Sequence, residues 1–162
     1  MKALTIWQPW ASLIVAGAKP YEFRGWRAPR VIVGERIVIH AAARAMKPGE
    51  IAGILHALRG SDQERAATCL HADKAEGILR GAICEGLPLA AGLGTAVIGE
   101  ARNGYDIAAE FGLARVNDSD RDAHANWGWP MLEIEQWPTP IEIRGAQGFW
   151  NWPDAASAAA QF

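Results

Sequence analysis

Lys19, Glu22 and Arg24 lie in the run Lys19-Pro20-Tyr21-Glu22-Phe23-Arg24. An ammonium, a carboxylate and a guanidinium this close in sequence can bind an anion or serve an acid–base reaction. Lys19 supplies a point charge for a phosphate or a developing oxyanion, and Arg24 offers a planar fork suited to bidentate contact. Two roles are open to Glu22. It orients the two cations through an ion pair, or it accepts hydrogen bonds from a base edge or acts as general base. A salt bridge between Glu22 and Arg24 that only satisfies charge in a sheet wall is the competing reading.

The surroundings of this run are basic and aromatic. From Lys19 to Lys47 there are seven basic residues, Lys19, Arg24, Arg27, Arg30, Arg36, Arg44 and Lys47, against Glu22 and Glu35, a balance of +5; the rest of the chain carries 9 basic and 16 acidic groups, or −7. Such asymmetry suits a localised anion-binding face, or else a solvated strand edge decorated with arginine. Tryptophan is equally uneven: Trp7, Trp10 and Trp26 stand near the start, and Trp127, Trp129, Trp137, Trp150 and Trp152 near the end. The two ends are expected to meet in one aromatic wall, mostly core, with one or two faces left to stack on a nucleobase. Weaker candidates are His40 at a strand end, which is more often packed than functional, and His124 in a polar segment leading into Trp127. Glu100, on the strand that begins at Thr95, either points into the same cleft or is a surface carboxylate, the commoner case. His40, His56, His71 and His124 show no ligand spacing, so no metal site is indicated, although carboxylates can recruit a divalent ion beside a phosphate. Serine and threonine total eight and no Gly-x-Ser-x-Gly elbow occurs, so a hydrolase triad is not supported.

The elements that must position these groups follow from periodicity. Residues 3–7 read as a strand. Pro9 opens a helix with Trp10, Leu13 and Ile14 on one stripe, and Gly17 caps it. Pro20 keeps Lys19 extended, and residues 21–24 alternate as a strand with Tyr21 and Phe23 on one side and Glu22, Arg24 and Trp26 on the other. Gly25 to Gly34 is a loop with a short strand at Val31 to Val33, and Arg36 to His40 is a strand. Residues 47 to 81 read as a helical hairpin broken at Gly60-Ser61-Asp62. A glycine-rich connection, Gly86 to Gly94, leads to a strand Thr95 to Arg102, and further strands lie at Met131 to Glu135 and Ile141 to Arg144. Gly92-Leu93-Gly94 precedes a strand and lacks a following Lys-Ser/Thr, so it is a poor phosphate loop. The sum is an α+β architecture: a small mixed β-barrel with flanking helices and an inserted helical hairpin, in one domain spanning 1–162.

Bulk properties set outer bounds. The chain has 162 residues, half of them hydrophobic and 21% charged, with a net charge of −2. That composition excludes a disordered tail protein and disfavours indiscriminate coating of duplex nucleic acid. The longest apolar-rich stretch, Trp10 to Ala18, is too short to span a bilayer, so no membrane association is expected. Lys2, the apolar residues after it and Ala16-Gly17-Ala18 imitate a secretion signal, but Gln8-Pro9 between two tryptophans interrupts the apolar core such a signal needs. Cys69 and Cys84 are expected to be reduced core thiols in a cytoplasmic protein.

Four pieces, in order, carry a resemblance. Gly17-Ala18-Lys19-Pro20-Tyr21-Glu22-Phe23-Arg24 matches the G-x-K-x-x-E-x-R signature of the ASCH domain, a member of the PUA-like superfamily. Trp7-Gln8-Pro9-Trp10-Ala11 precedes it at the family's distance, Gly34 to Ala42 resembles its second strand, and Gly145-Ala146-Gln147-Gly148-Phe149-Trp150 resembles its closing motif. The resemblance implies a PUA-like barrel with a cleft beside the signature that binds RNA or nucleotide-like ligands. Read from the residues beside that resemblance, the candidate catalytic residues are Lys19 and Glu22, and the candidate ligand contacts are Arg24, Trp7, Gln8, Trp26, Arg27, His40, Glu100, His124, Trp127 and Trp150. Two activities occur among ASCH-like proteins, ribonuclease action on single-stranded RNA and hydrolysis of acetylated cytidine. The second uses a Lys-x-x-Thr pair whose threonine is the nucleophile. Glu22 stands at that position here, and a carboxylate does not replace the hydroxyl in its covalent role. The expected partner is therefore single-stranded RNA, a nucleotide or a modified nucleoside, with a protein-interaction module using the inserted helices as a third reading. No cofactor is indicated beyond a divalent metal if the chain is a nuclease.

Overall fold

The computed structural model describes residues 1–113 and 127–153. The expected α+β class is met, with the sheet curled into a half-barrel. The elements in chain order are β1 (Lys2–Ile6), α1 (Trp10–Val15), β2 (Tyr21–Arg24), β3 (Arg36–Ala41), α2 (Pro48–Arg59), α3 (Asp62–Ala67), α4 (Ala72–Glu85), β4 (Ala91–Ile98), β5 (Arg102–Asn103), α5 (Gly104–Glu110), β6 (Trp127–Glu142) and β7 (Phe149–Asn151). The strands form one sheet in the order β2-β6-β4-β3-β1-β7, with β5 also on β6. Among the described residues, only β1 and β3 run parallel, Lys2 facing Ile37 and Ile6 facing Ala41; the other pairs are antiparallel. β2 and β7 stand at opposite ends of this order, yet Phe149 of β7 stacks on Trp129, the β6 residue opposite Glu22 of β2, with ring centroids 6.0 Å apart and planes 3° apart. The sheet therefore curls until its ends meet over a shared core of Leu4, Ile6, Ile14, Ile37, Ile39, Leu93, Ile98 and Trp129.

α1 joins this core to a second one. Ile14 and Val15 face the sheet, whereas Leu13 packs with Ile51, Leu55, Leu58 and Leu79 of α2 and α4. The helix closes at Gly17, whose φ of +69° is the left-handed conformation glycine adopts without steric cost; the next amides, of Ala18 and Lys19, return to the Leu13 carbonyl at 2.8 and 3.0 Å. That turn delivers Lys19 to the start of β2.

Several boundaries differ from those read in the sequence. Residues 31–33 form turns, not a strand: the Ile32 amide bonds the Pro29 carbonyl and the Glu35 amide bonds the Ile32 carbonyl. The helical hairpin is three helices, because Thr68 accepts from the Leu70 amide and Cys69 takes a φ of +52°, which ends α3 before α4 begins. β4 begins at Ala91 and stops at Ile98, earlier at both ends than read. Its glycines sit where the chain is crowded: a Cβ at Gly94 would lie 2.4 Å from the Glu135 carbonyl oxygen. The two late strands are one, β6, in which residues 137–140 bulge out between the Gly92–Ile141 and Gly94–Gln136 pairs, with Pro138 and Pro140 inside the bulge. β7 and α5 carried too little periodicity to be read at all. Cys69 is buried but Cys84 is exposed, so only the first is a core thiol. Among the described residues, no helix is long and apolar enough to cross a membrane.

Candidate functional site

β2 sets the geometry of the site. Its four residues pair with the first four of β6, so Glu22 lies opposite Trp129 and Arg24 opposite Trp127. The Glu22 carboxylate receives Arg24 Nη2 at 2.8 Å on one oxygen, and Lys19 Nζ approaches the other at 3.5 Å. Lys19 also donates to the Tyr21 carbonyl and sits against the rings of Trp10 and Phe23, 5.6 and 5.1 Å from their centroids. The sequence signature is thus one contiguous cluster, as its spacing predicts. Exposure divides it: the side chains of Lys19 and Glu22 are 2% and 8% exposed, whereas that of Arg24 is 27% exposed. Arg24 is the member of the trio that meets solvent.

Arg24 also lies over the Trp129 indole, 6.0 Å from its centroid, and the Trp129 Nε1 donates to the Trp26 carbonyl. Trp26 falls after the end of β2, so strand alternation does not place its ring beside Glu22; the indole is 58% exposed. Two more guanidinium–indole pairs occur. Arg27 lies 4.0 Å over Trp127, and Arg44 lies 4.5 Å over Trp7, itself 58% exposed. Arg44 is fixed in turn by Glu50, which also accepts the Lys47 amide, and these bonds hold the Glu50 carboxyl below its ordinary range. The basic segment is accordingly half committed internally: Arg36 pairs with Glu133 and Glu135, and Arg44 with Glu50, while Arg27 and Arg30 are exposed.

Other sequence candidates lie elsewhere. Gln8 is buried and its amide is fully used: it donates to Ser12 Oγ and the Pro88 carbonyl, both at 2.8 Å, and accepts the Ser12 amide at 3.1 Å, capping α1. His40 is also buried, between the Ile143 carbonyl at 3.0 Å and Thr5 Oγ1 at 3.2 Å, and burial pushes its imidazole below the ordinary value. Thr5 Oγ1 also receives Trp150 Nε1 at 3.0 Å and lies 2.6 Å from the Ala146 carbonyl, so its one proton serves either that carbonyl or His40 Nδ1. His40 and Trp150 therefore clamp the segment between β6 and β7 to β1 and β3, on the sheet face opposite Ile37 and Ile39. A Cβ on Gly145 would sit 2.3 Å from His40 Cε1, so no guest reaches that ring from the loop side. Glu100 is exposed beyond the end of β4 and is not carried inward. His124 lies outside the described residues. Instead of one aromatic wall there are two groups: Trp127 and Trp129 under Arg27 and Arg24, with Trp129 bonding the Trp26 carbonyl, and Trp137, Trp150 and Trp152 on the outer face, with centroids 5.6 to 5.7 Å apart along that row. Among the described residues, no group of three or more His, Cys, Asp or Glu side chains is placed to hold a metal ion.

One arrangement was not read from the sequence. Arg102 and Glu110 bracket Tyr21: Arg102 donates to the phenol oxygen at 2.9 Å, and the phenol donates to Glu110 at 3.0 Å. Burial and the Glu110 contact push the phenol pKa up. This bracket ties α5 to β2 and steadies the strand from the side away from Glu22. Arg102 and Glu110 lie 81 and 89 residues from Tyr21 in sequence, a separation that leaves no local pattern.

No curated protein matches the chain. Among solved structures, it is similar to two crystal structures of single-residue mutants of ZmASCH from Zymomonas mobilis. Identity is 13% with each; the matches cover 98% of this chain and 94% and 92% of theirs, with TM-scores of 0.49 and 0.48. The family model for the ASCH domain matches residues 4–98, a span that contains the end of β1, α1, the whole signature and all of β3 and β4. The chain belongs to the ASCH domain family.

Proposed function

We propose that the chain binds single-stranded RNA, or a nucleotide or modified nucleoside, beside the signature, in the cytoplasm. The observation that carries this reading is the position of Arg24: a partly exposed guanidinium, backed by a buried carboxylate and ammonium, two residues from an exposed indole. A planar cation next to an aromatic face suits a guest that combines phosphate with a base, because the phosphate takes charge-assisted hydrogen bonds and the base stacks. Arg24 is the anion contact in this reading, and Trp26, Trp7, Arg27 and Trp127 are the stacking shelf. Lys19 acts from behind by holding Glu22. Binding of a short fluorescently labelled RNA, followed by anisotropy at low and high salt, tests it. Wild type should bind with salt-sensitive affinity, and Arg24→Ala should lose about tenfold or more. Equal affinity in the two proteins would remove the signature from the ligand site.

The 3.5 Å contact between Lys19 Nζ and the Glu22 carboxylate favours a second reading, hydrolysis of the bound RNA, with Lys19 as electrostatic catalyst and Glu22 as proton acceptor. Amide hydrolysis of acetylated cytidine is the less favoured reaction, for want of a hydroxyl at Glu22. Incubating RNA with the protein, with and without magnesium and alongside Glu22→Gln, separates the two readings: cleavage by wild type that vanishes in Glu22→Gln supports hydrolysis, and intact RNA throughout leaves binding alone.

A further inference from the structure

Among the described residues, the Nε of Arg24 is the one buried side-chain nitrogen or oxygen that makes no hydrogen bond. Buried donors are nearly always satisfied, because an unmatched one forfeits its hydration without return. The same side chain gives Nη2 to Glu22 and is 27% exposed, so it is both the outermost group of the cluster and the least well satisfied. Behind it, Glu22 is shut in by Arg24 on one oxygen and Lys19 on the other. Retracting Lys19 would tear it from the Tyr21 carbonyl and the rings of Trp10 and Phe23; swinging Arg24 outward costs one ion pair and a distant ring contact, and releases the idle donor.

We infer that guest capture at the signature is an exchange: Arg24 leaves Glu22 for an anionic oxygen of the guest, and the uncovered Glu22 oxygen accepts a hydrogen bond from an N–H of the same guest. The inference rests on the nucleotide reading above and sharpens it, since the site then selects molecules that offer both groups. A nucleotide whose base carries an exocyclic amine satisfies both halves. A sugar phosphate satisfies one, and a nucleoside the other. In the swung position both Nε and Nη2 face the anion, the fork geometry for which arginine is suited. Lys19 stays in place against the other Glu22 oxygen.

The test has an arm that needs no ligand. Solvent exchange of the Arg24 Nε–H is followed by side-chain nitrogen NMR in wild type and in Glu22→Gln, with the backbone amides of β2 as reference. The exchange model expects Nε–H to exchange faster than the Phe23 amide, and about tenfold faster again once the carboxylate is replaced by an amide. Exchange as slow as that amide in both proteins would overturn the inference, whether or not RNA binds; should Glu22→Gln fail to fold, the wild-type comparison alone decides this arm. In the second arm wild type is titrated with cytidine 5′-monophosphate, ribose 5-phosphate and cytidine. The nucleotide should bind at least tenfold tighter than either fragment and shift the Arg24 Nε–H resonance. Ribose 5-phosphate as tight as the nucleotide, or nucleotide binding that leaves that resonance unmoved, would overturn the exchange while leaving nucleotide binding intact. Absence of binding by all three and by RNA would overturn both.

Discussion

At the scale of single residues the site is governed by burial. Glu22 pairs with a buried ammonium and a partly exposed guanidinium, so deleting it is costly: Glu22→Ala should destabilise the fold by about 3 kcal/mol, since a buried ion pair loses its carboxylate. Urea denaturation checks this, and a loss below about 1 kcal/mol would show that Lys19 and Arg24 find water or other partners. Gln8 shows the complementary case of a polar side chain whose every hydrogen-bonding group is used. Gln8→Ala is expected to lower stability by about 2 kcal/mol while leaving RNA affinity per folded molecule unchanged. His40 supplies a pH dependence. Its imidazole is held below the ordinary value of 6.5 by burial, with the Ile143 carbonyl opposing. The unfolded chain therefore takes up the proton more readily than the folded one, so the stabilising contribution of neutral His40 is complete above 6.5 and falls away as pH drops through that value towards the folded one. Thermal melts from pH 7.5 to 5 should decline, and the decline should be smaller in His40→Gln; parallel curves would exclude His40 as its source.

At the scale of elements, close approach decides where the sheet can bend. Gly92 lies under the outer tryptophans, where a Cβ would come within 2.5 Å of Trp152 and 2.8 Å of Trp137 ring atoms. At Gly94 the obstacle is backbone, the Glu135 carbonyl at 2.4 Å and the Gln136 Cα at 3.0 Å. Side chains on an outer face can shift more readily than a paired strand. Gly94→Ala should therefore cost more than Gly92→Ala, with both in the range of about 1–3 kcal/mol expected of overpacking. The reverse order in chemical denaturation would mean that the backbone at Glu135 and Gln136 gives more easily than the tryptophan row. The same bulge manages the unpaired side of β6: Pro138 and Pro140 lack donors, and Glu133 and Glu135 place charge along it.

At the scale of the whole molecule, charge is spread thinly. The chain carries a net −2, and Arg36 and Arg44 of its basic segment are already paired. A protein built this way neutralises few phosphates, so the plot of log affinity against log salt for single-stranded RNA should have a slope no steeper than about −2. A slope steeper than about −5 would require an extended basic track that the described surface does not present. The curled sheet contributes by bringing Phe149 onto Trp129, which in turn supports Arg24 from beneath and anchors the Trp26 carbonyl. The last strand therefore props the first part of the site, although more than a hundred residues separate Trp26 from Trp129.

Local order in the chain was enough to place the charged trio together. Gly17 and Pro20 flank Lys19, and a four-residue alternation carries Glu22 and Arg24 on one face, all of it encoded within eight positions. The α+β class, α1, β1 and β3 were legible for the same reason: their periodicity is written in neighbouring residues. What no local pattern could decide was which of these groups meets water. Lys19 reads as a point charge for a phosphate or oxyanion, yet α1 and β2 fold Trp10 and Phe23 over it and leave Arg24 outermost. His40 and Gln8 likewise change from candidate contacts to internal ties once Ile143, Ala146 and Pro88 arrive from distant parts of the chain. Residue type and spacing fix which charges are neighbours along a strand; exposure depends on what the rest of the chain packs against them, and that is settled only when the sheet closes on itself.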